Sequence, residues 1–296
     1  MSGTVQLTVN PLQARNGELY QCLEIATSGK IEPELLGSLT LPRELDFSKG
    51  IILWGAAPIW LTSHLVQLCD PAPWVGCYDL QLGSVVVVAS RTRELAAAES
   101  FRLVPSRPPG PALFIGGPPN SGKSVLSYAL GEGLRGANPD RRIHLHRAQW
   151  DGEGNWAIEA GDRALVDSLR QQHKAGWSQR FFQHHGEAVG HIREAVDLVL
   201  VDFGGKPKPR DVMVRDRCTH YLIITSDPEA LAQWHDFCQV QGKLTPVAVI
   251  HSVLEDRVEV LQTEPFLEII AGPWMRGESA RIPEALLSAV MKLLVM

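Results

Sequence analysis

The run Ala112-Leu-Phe-Ile-Gly116 passes without a break into Gly117-Pro-Pro-Asn120-Ser121-Gly122-Lys123-Ser124, and no other feature constrains the fold as strongly. Four apolar residues ending on a glycine read as a buried strand. Beyond Ser124, the residues Val125, Leu126, Tyr128, Ala129 and Leu130 follow a helical period. A loop of the form G-x-x-x-x-G-K-[ST] thus stands between a strand and a helix, the setting in which it cradles phosphates. Its glycines let backbone N–H groups close around the anion, and the helix N-terminus favours negative charge there. Lys123 is placed to reach β- and γ-phosphates, and Ser124 to hold Mg²⁺. The loop therefore predicts a site for ATP and Mg²⁺ built from Gly117, Asn120, Ser121, Gly122, Lys123 and Ser124.

A second element points the same way. Ala195–Asp202 is an apolar run ending in an acid and followed by Phe203-Gly204-Gly205, so Asp202 is a second Mg²⁺ ligand candidate. Asp197 interrupts the run and is the weaker one. The spacing Asp202-x-x-Gly205 resembles the D-x-x-G of GTPases and of dethiobiotin-synthetase-like ATPases. That resemblance implies a Gly205 N–H that senses a γ-phosphate. Further strands are predicted at Arg142–His146, His220–Thr225 and Pro246–Ile250, with edge strands at Val258–Leu261 and Phe266–Ile270. Helices are predicted over 160–174, from Asp227-Pro228, and over 283–295. Alternating strands and helices imply an α/β fold with a mostly parallel sheet, a P-loop NTPase domain of ATPase or kinase type. Ligands sit at the carboxyl ends of such strands, which makes Asp151, Glu153, Lys206 and Asp227 secondary candidates. Trp150, Trp156 and Trp177 could stack on an adenine, but core packing is the preferred reading. The pairs His144/His146 and His184/His185 suggest a metal, but no third ligand is apparent and structural roles are preferred.

The segment Pro105-Ser-Arg-Pro-Pro-Gly-Pro111 cannot continue a helix or a central strand. It is read as a short linker over 105–111 between a domain over 1–104 and a domain over 112–296. A length of 296 residues suits two domains. The net charge is -5, and residues 1–106 carry 7 basic against 10 acidic side chains. Neither half is basic, which argues against a partner of duplex nucleic acid held by bulk charge. Cys22, Cys69, Cys77, Cys218 and Cys238 are odd in number and lack paired spacing, so buried free thiols are expected. No apolar window is long enough for a membrane span, and the first residues lack a secretion signal. A cytoplasmic protein is expected.

In the first domain, Thr4–Val9 and Tyr20–Ile25 alternate as half-buried strands. Ile51–Trp54 is apolar, Pro58 opens a helix through Leu68, and Asp70-Pro-Ala-Pro73 ends it. Trp74–Tyr78 and Ser84–Val88 read as strands, giving a compact α/β unit. Three stretches, Gly55-Ala-Ala-Pro58-Ile-Trp60-Leu61, Pro73-Trp-Val-Gly-Cys-Tyr78-Asp79 and Leu82-Gly83-Ser-Val-Val-Val-Val88, resemble the third family of CRISPR-associated ring nucleases. The resemblance covers about residues 15–100, most densely 48–90. It implies a manganese-dependent phosphodiesterase that cuts cyclic tetra-adenylate and so switches off type III CRISPR signalling. It also implies a homo-oligomer, dimer or tetramer, whose subunits sandwich the ring.

Carried over residue by residue, the family's aspartate after the aromatic strand falls on Asp79. It is the catalytic candidate and the Mn²⁺ ligand candidate. Two positions depart from the family pattern. An arginine of the motif is Gln81 here, and a histidine before the aromatic strand is Asp70, a second catalytic candidate that can ligate metal but is a poor general base at neutral pH. His64, roughly one and a half helical turns earlier, is the substitute base; a helix-surface histidine is the alternative. Arg43, Lys49, Arg91 and Arg93 are the local cations for the phosphates, or else solvated surface charges. In a symmetric oligomer one arginine per subunit becomes a ring of charge. Three readings stay open: a ring nuclease joined to an ATPase or kinase, a non-cleaving sensor of the ring that regulates the ATPase, and a manganese-dependent RNA deadenylase.

Overall fold

The computed structural model describes residues 3–29, 31–148, 179–275 and 280–295. The chain forms two compact units, Met1–Arg107 and Pro108–Met296.

The first unit contains β1 (Thr4–Gln13), β2 (Leu19–Ser28), β3 (Ile51–Trp54), helix α1 (Ile59–Leu68), β4 (Trp74–Asp79), β5 (Ser84–Ser90) and the short β6 (Ser100–Phe101). These strands make one six-stranded sheet in sequence order. β2, β3 and β4 run parallel, and the other neighbours are antiparallel. β1 and β2 are longer than their alternation suggested, because ten residues of each pair in register. In β1 the side chains of Val5, Leu7 and Val9 join one core while Thr4, Gln6 and Thr8 are exposed, the period of a strand with one wet face. α1 buries Leu61 and Leu65 on that core, together with Leu23, Ile51, Leu53 and Val75. The opposite face carries Cys22, Ile52, Trp74, Val85 and Val87, with Tyr20, Trp54, Tyr78 and Phe101 packed against them.

The second unit contains β7 (Ala112–Gly116), α2 (Lys123–Ala137), β8 (Ile143–Arg147), α3 (Gln179–Ala195) and β9 (Leu198–Asp202). It continues through β10 (His220–Thr225), α4 (Pro228–His235), β11 (Thr245–Ser252), β12 (Arg257–Gln262), β13 (Leu267–Gly272) and α5 (Glu284–Met291). The seven strands lie in the order β12-β13-β11-β10-β7-β9-β8. All pairings are parallel except the edge pair β12–β13. This is a mostly parallel α/β sheet with β7 inside it. Period two sends Leu113 and Ile115 to a core shared with Leu126, Leu130 and Leu134 of α2 and Leu286 and Val290 of α5. Each such leucine contributes roughly 1.5–3 kcal/mol by leaving water. Phe114 points to the other face, where its ring lies 5.1 Å from Phe203 and 5.9 Å from Trp234 of α4.

Three sequence expectations shift. The apolar run at 195–202 is strand only from Leu198, because Ala195 closes α3. Asp197 breaks the run by accepting the Arg142 N–H at 2.7 Å. The terminal helix stops at Met291 and tightens into a 3₁₀ turn at Lys292–Leu294. The proline run is fastened to the second unit from Gly110 onward. The Gly110 N–H donates to Arg193 O at 2.8 Å, and the Gly110 carbonyl accepts from Arg193 Nε at 2.7 Å. The expected helix over 160–174 lies outside the described residues. The five cysteines are free thiols, four of them buried. Among the described residues, no helix is long and apolar enough to cross a membrane.

Candidate functional site

The loop between β7 and α2 turns on glycines that no other residue replaces without cost. Gly117 has φ +155°, and a Cβ there would lie 2.1 Å from the Ile224 carbonyl oxygen of β10. Gly122 has φ +89° and meets Trp274. Asn120 also adopts positive φ, at 61°, a conformation asparagine tolerates better than most residues. Lys123 opens α2 and is only 6% exposed. Its Nζ donates to the Pro118 carbonyl at 2.7 Å, so the ammonium is folded over its own loop. Ser121 is equally buried, and its Oγ has no hydrogen-bond partner. A buried orphan hydroxyl is costly in a native fold unless something else satisfies it. Ser124 is half-buried in the first turn of α2.

Asp202 ends β9 and is 7% exposed. Its register partner is Ile115 on β7, two residues before Gly117, and the Phe203 N–H donates to Ile115 O at 3.0 Å. The sheet thereby sets a buried carboxylate at the carboxyl end of the strand beside the loop strand. Gly205 follows in the next turn, with exposed Lys206 after it. The secondary candidate Asp227 is the N-cap of α4, its Oδ1 accepting the Glu229 N–H at 2.9 Å. Asp197 lies at the opposite end of β9 from Asp202. Trp150, Asp151, Glu153, Trp156 and Trp177 lie outside the described residues.

His146 of β8 and His185 of α3 meet across the sheet face, Nε2 to Nδ1, at 3.0 Å. Burial pushes both rings down, His146 to about 3 and His185 to about 4, and neighbouring histidines add to the shift. Both are therefore neutral at pH 7, one donating to the other.

In the first unit the carboxylates are dispersed. Asp79 is exposed at the carboxyl end of β4, where its Oδ1 accepts the N–H groups of Gln81 at 2.8 Å and Leu82 at 2.9 Å. It thus organises the β4–β5 turn. Asp70 precedes the other end of β4 and pairs with Arg91. The strand between them spans about 17 Å, so the structure does not bring Asp70 and Asp79 of one chain together. His64 is half-buried in the middle of α1. Lys49 faces Asp46 at 3.2 Å, while Arg43 and Arg93 are exposed. Beside Asp79, sequence reasoning missed a stacked pair, Trp54 and Tyr78, with centroids 4.0 Å apart and planes 15° apart. Each is near the carboxyl end of its strand, and parallel pairing of β3 with β4 is the signal that unites them.

Residues 24–101 match the sequence model of a family described as CRISPR-associated protein (Cas_csx3). Solved structures similar to the chain include the septum site-determining protein MinD complexed with Mg-ADP from Pyrococcus horikoshii OT3. It is 14% identical, with a TM-score of 0.34 over 60% of this chain and 77% of its own. A putative plasmid partition protein from Borrelia burgdorferi B31, bound to AMPPNP, is 10% identical, with a TM-score of 0.41 over 63% of this chain and 98% of its own. A ParA family ATPase from Chlorobium tepidum TLS is 13% identical, with a TM-score of 0.36 over 62% of this chain and 92% of its own.

Proposed function

We propose that the second unit binds ATP with Mg²⁺ and turns it over, by hydrolysis or phosphoryl transfer. We propose further that the first unit binds cyclic tetra-adenylate in a cytoplasmic homo-oligomer linked to type III CRISPR defence, and cleaves it with Mn²⁺. The observation that carries the first part is the β7–α2 loop, where glycines at positive φ, a buried lysine and an orphan Ser121 hydroxyl surround the helix N-terminus. Anionic phosphate satisfies all of these groups at once. Lys123 leaves the Pro118 carbonyl for the terminal phosphate, and Ser121 gains its missing partner. The hydroxyl of Ser124 and the carboxylate of Asp202 are hard oxygen donors that suit Mg²⁺. That ion, when bound, neutralises charge on the β- and γ-oxygens. The Gly205 N–H is the candidate γ-phosphate contact.

The second part is supported by the match of residues 24–101. Asp79 spends one oxygen on the turn and keeps Oδ2 for Mn²⁺. A lone carboxylate is a thin ligand set, so ring phosphates or a second subunit complete it. Symmetry also multiplies the exposed Arg43, Lys49 and Arg93 around four phosphates.

A second reading, a sensor that binds the ring without cutting it, is favoured by one observation. Asp70 is neutralised by Arg91 and lies a strand's length from Asp79. Product analysis of the protein with cyclic tetra-adenylate and Mn²⁺, with and without ATP, separates the two. Linear products that vanish in Asp79→Ala support cleavage, and tight binding without products supports the sensor. Equal cutting of linear oligo(A) would instead indicate a deadenylase.

A further inference from the structure

The sheet of the second unit ends differently at its two edges. β8, at one edge, holds Ile143 and His146 in the interior. β12, at the other, is paired only with β13, and none of its six residues is buried. Among the described residues, no strand covers its outer N–H and C=O groups, which makes it a template for another strand. Apolar side chains crowd the same place: Leu254, Val258, Val260 and Leu261 are all exposed, Leu254 at 84% and Val258 at 57%. Val258 stands opposite Ala271 of β13, and Val260 opposite Ile269. Residues opposite one another in an antiparallel pair point to one face. The two valines therefore carry the face of the core shared with α2 and α5 out to the sheet margin.

Native folds guard such an edge with charges, proline or bulges. Here the guards are Arg257 and Glu259, which pair with each other along the reverse face, and a register shift after Val260. Those two charges also select a partner. A second copy of β12 can lie antiparallel across a two-fold axis normal to the sheet, with one residue facing its own counterpart. An axis at Arg257 sets two guanidiniums face to face, and an axis at Glu259 sets two carboxylates face to face. An axis at Val260 sets Glu259 against a leucine. Only the axis at Val258 sets Arg257 against the partner subunit's Glu259, and Glu259 against the partner subunit's Arg257. The two pairs then close a square of alternating charge, while Val258 packs on its counterpart across the other face. Opposite charges directly across an antiparallel pair stabilise it, and like charges there oppose it.

We propose that β12 is an interface for a second copy of this chain, joining two seven-stranded sheets edge to edge about a two-fold axis at Val258. An identical strand supplies the matching charges by symmetry, which is why a second copy is the occupant. The inference concerns the second unit alone and does not rest on nucleotide or ring binding.

Disulfide trapping in the full chain tests the register, so association through another surface cannot imitate the result. Directly opposite residues lie about 4.5–5.5 Å apart between Cα atoms, within reach of a disulfide. Val258→Cys should therefore form a covalent dimer under mild oxidant. Wild type is the background control, since four of its five cysteines are buried. Val260→Cys lies on the same face, but its counterparts would stand four positions apart, about 14 Å along the strand. It should cross-link at the background rate. Adding Arg257→Glu to Val258→Cys gathers four carboxylates and should slow cross-linking about tenfold or more; adding Glu259→Arg as well should restore it. Trapping of Val258→Cys no faster than wild type, equal trapping of Val260→Cys, or a rate that ignores the charge exchange would each overturn the proposal.

Discussion

Gly117→Ala isolates the geometry of the phosphate loop from its charge. The new methyl group would lie 2.1 Å from the Ile224 carbonyl oxygen and 3.0 Å from Ser121 Oγ. The first distance is far inside contact and is to backbone of an interior strand, so the loop must move. A non-glycine residue at positive φ adds about 1–2 kcal/mol. With the displaced loop, the total loss is about 2–4 kcal/mol. For a unit of this size, 1 kcal/mol shifts Tm by about 2–4 °C, so a fall of roughly 5–15 °C is expected. ATP binding should be lost even though Lys123 and Ser124 are unchanged. Gly136→Ala is the control within α2: Gly136 is exposed, and a Cβ there meets nothing within 4 Å. Alanine should stabilise that helix by about 0.5–1 kcal/mol. Thermal melts and ATP titrations of both variants decide the matter. A Gly117→Ala protein that melts with the wild type and binds ATP normally would refute the reading of this loop.

Other expectations follow from the same geometry. Lys123→Ala should abolish ATP turnover with the fold retained, as judged by phosphate release and circular dichroism; surviving turnover places the nucleotide elsewhere. Asp79→Asn retains a side-chain oxygen for the Gln81 and Leu82 amides but loses the charge. It should melt like the wild type and lose Mn²⁺-dependent cleavage, whereas Asp79→Ala should lose cleavage and about 1 kcal/mol. His146 and His185 are held neutral by burial, with pKa lowered from 6.5 to about 3 and about 4. The unfolded chain therefore takes up protons first as pH falls. Their contribution to stability is complete above pH 6.5 and is lost progressively down to about pH 4 and 3. Denaturant melts of the wild type and of a His146→Phe/His185→Leu variant should diverge in pH slope across that window; parallel slopes would rule this pair out as the source.

The local elements were legible where one short segment carries its own signal. β3, β7 and β10 have the bounds expected from their apolar runs, and Asp227-Pro228 starts α4 as its cap chemistry requires. The alternation of strands and helices likewise sufficed for a mostly parallel sheet. Elements whose ends are set by distant partners were less legible. Ten paired residues lengthen β1 and β2, and the side chain of Asp197 delays β9 by engaging Arg142.

The candidate sites divide along the same line. The spacing from Gly117 to Ser124 by itself determined a tight loop between strand and helix, because periodicity, missing Cβ atoms and helix-end polarity act over a few residues. Only the tertiary structure decided that Asp202 pairs beside Ile115 while Asp197 faces the far end of the sheet. Only it set Asp70 and Asp79 a strand's length apart, joined His146 to His185, and pressed Trp274 against Gly122. Those relations depend on strand order and register, which arise when the whole core packs, and no local pattern of residues encodes them.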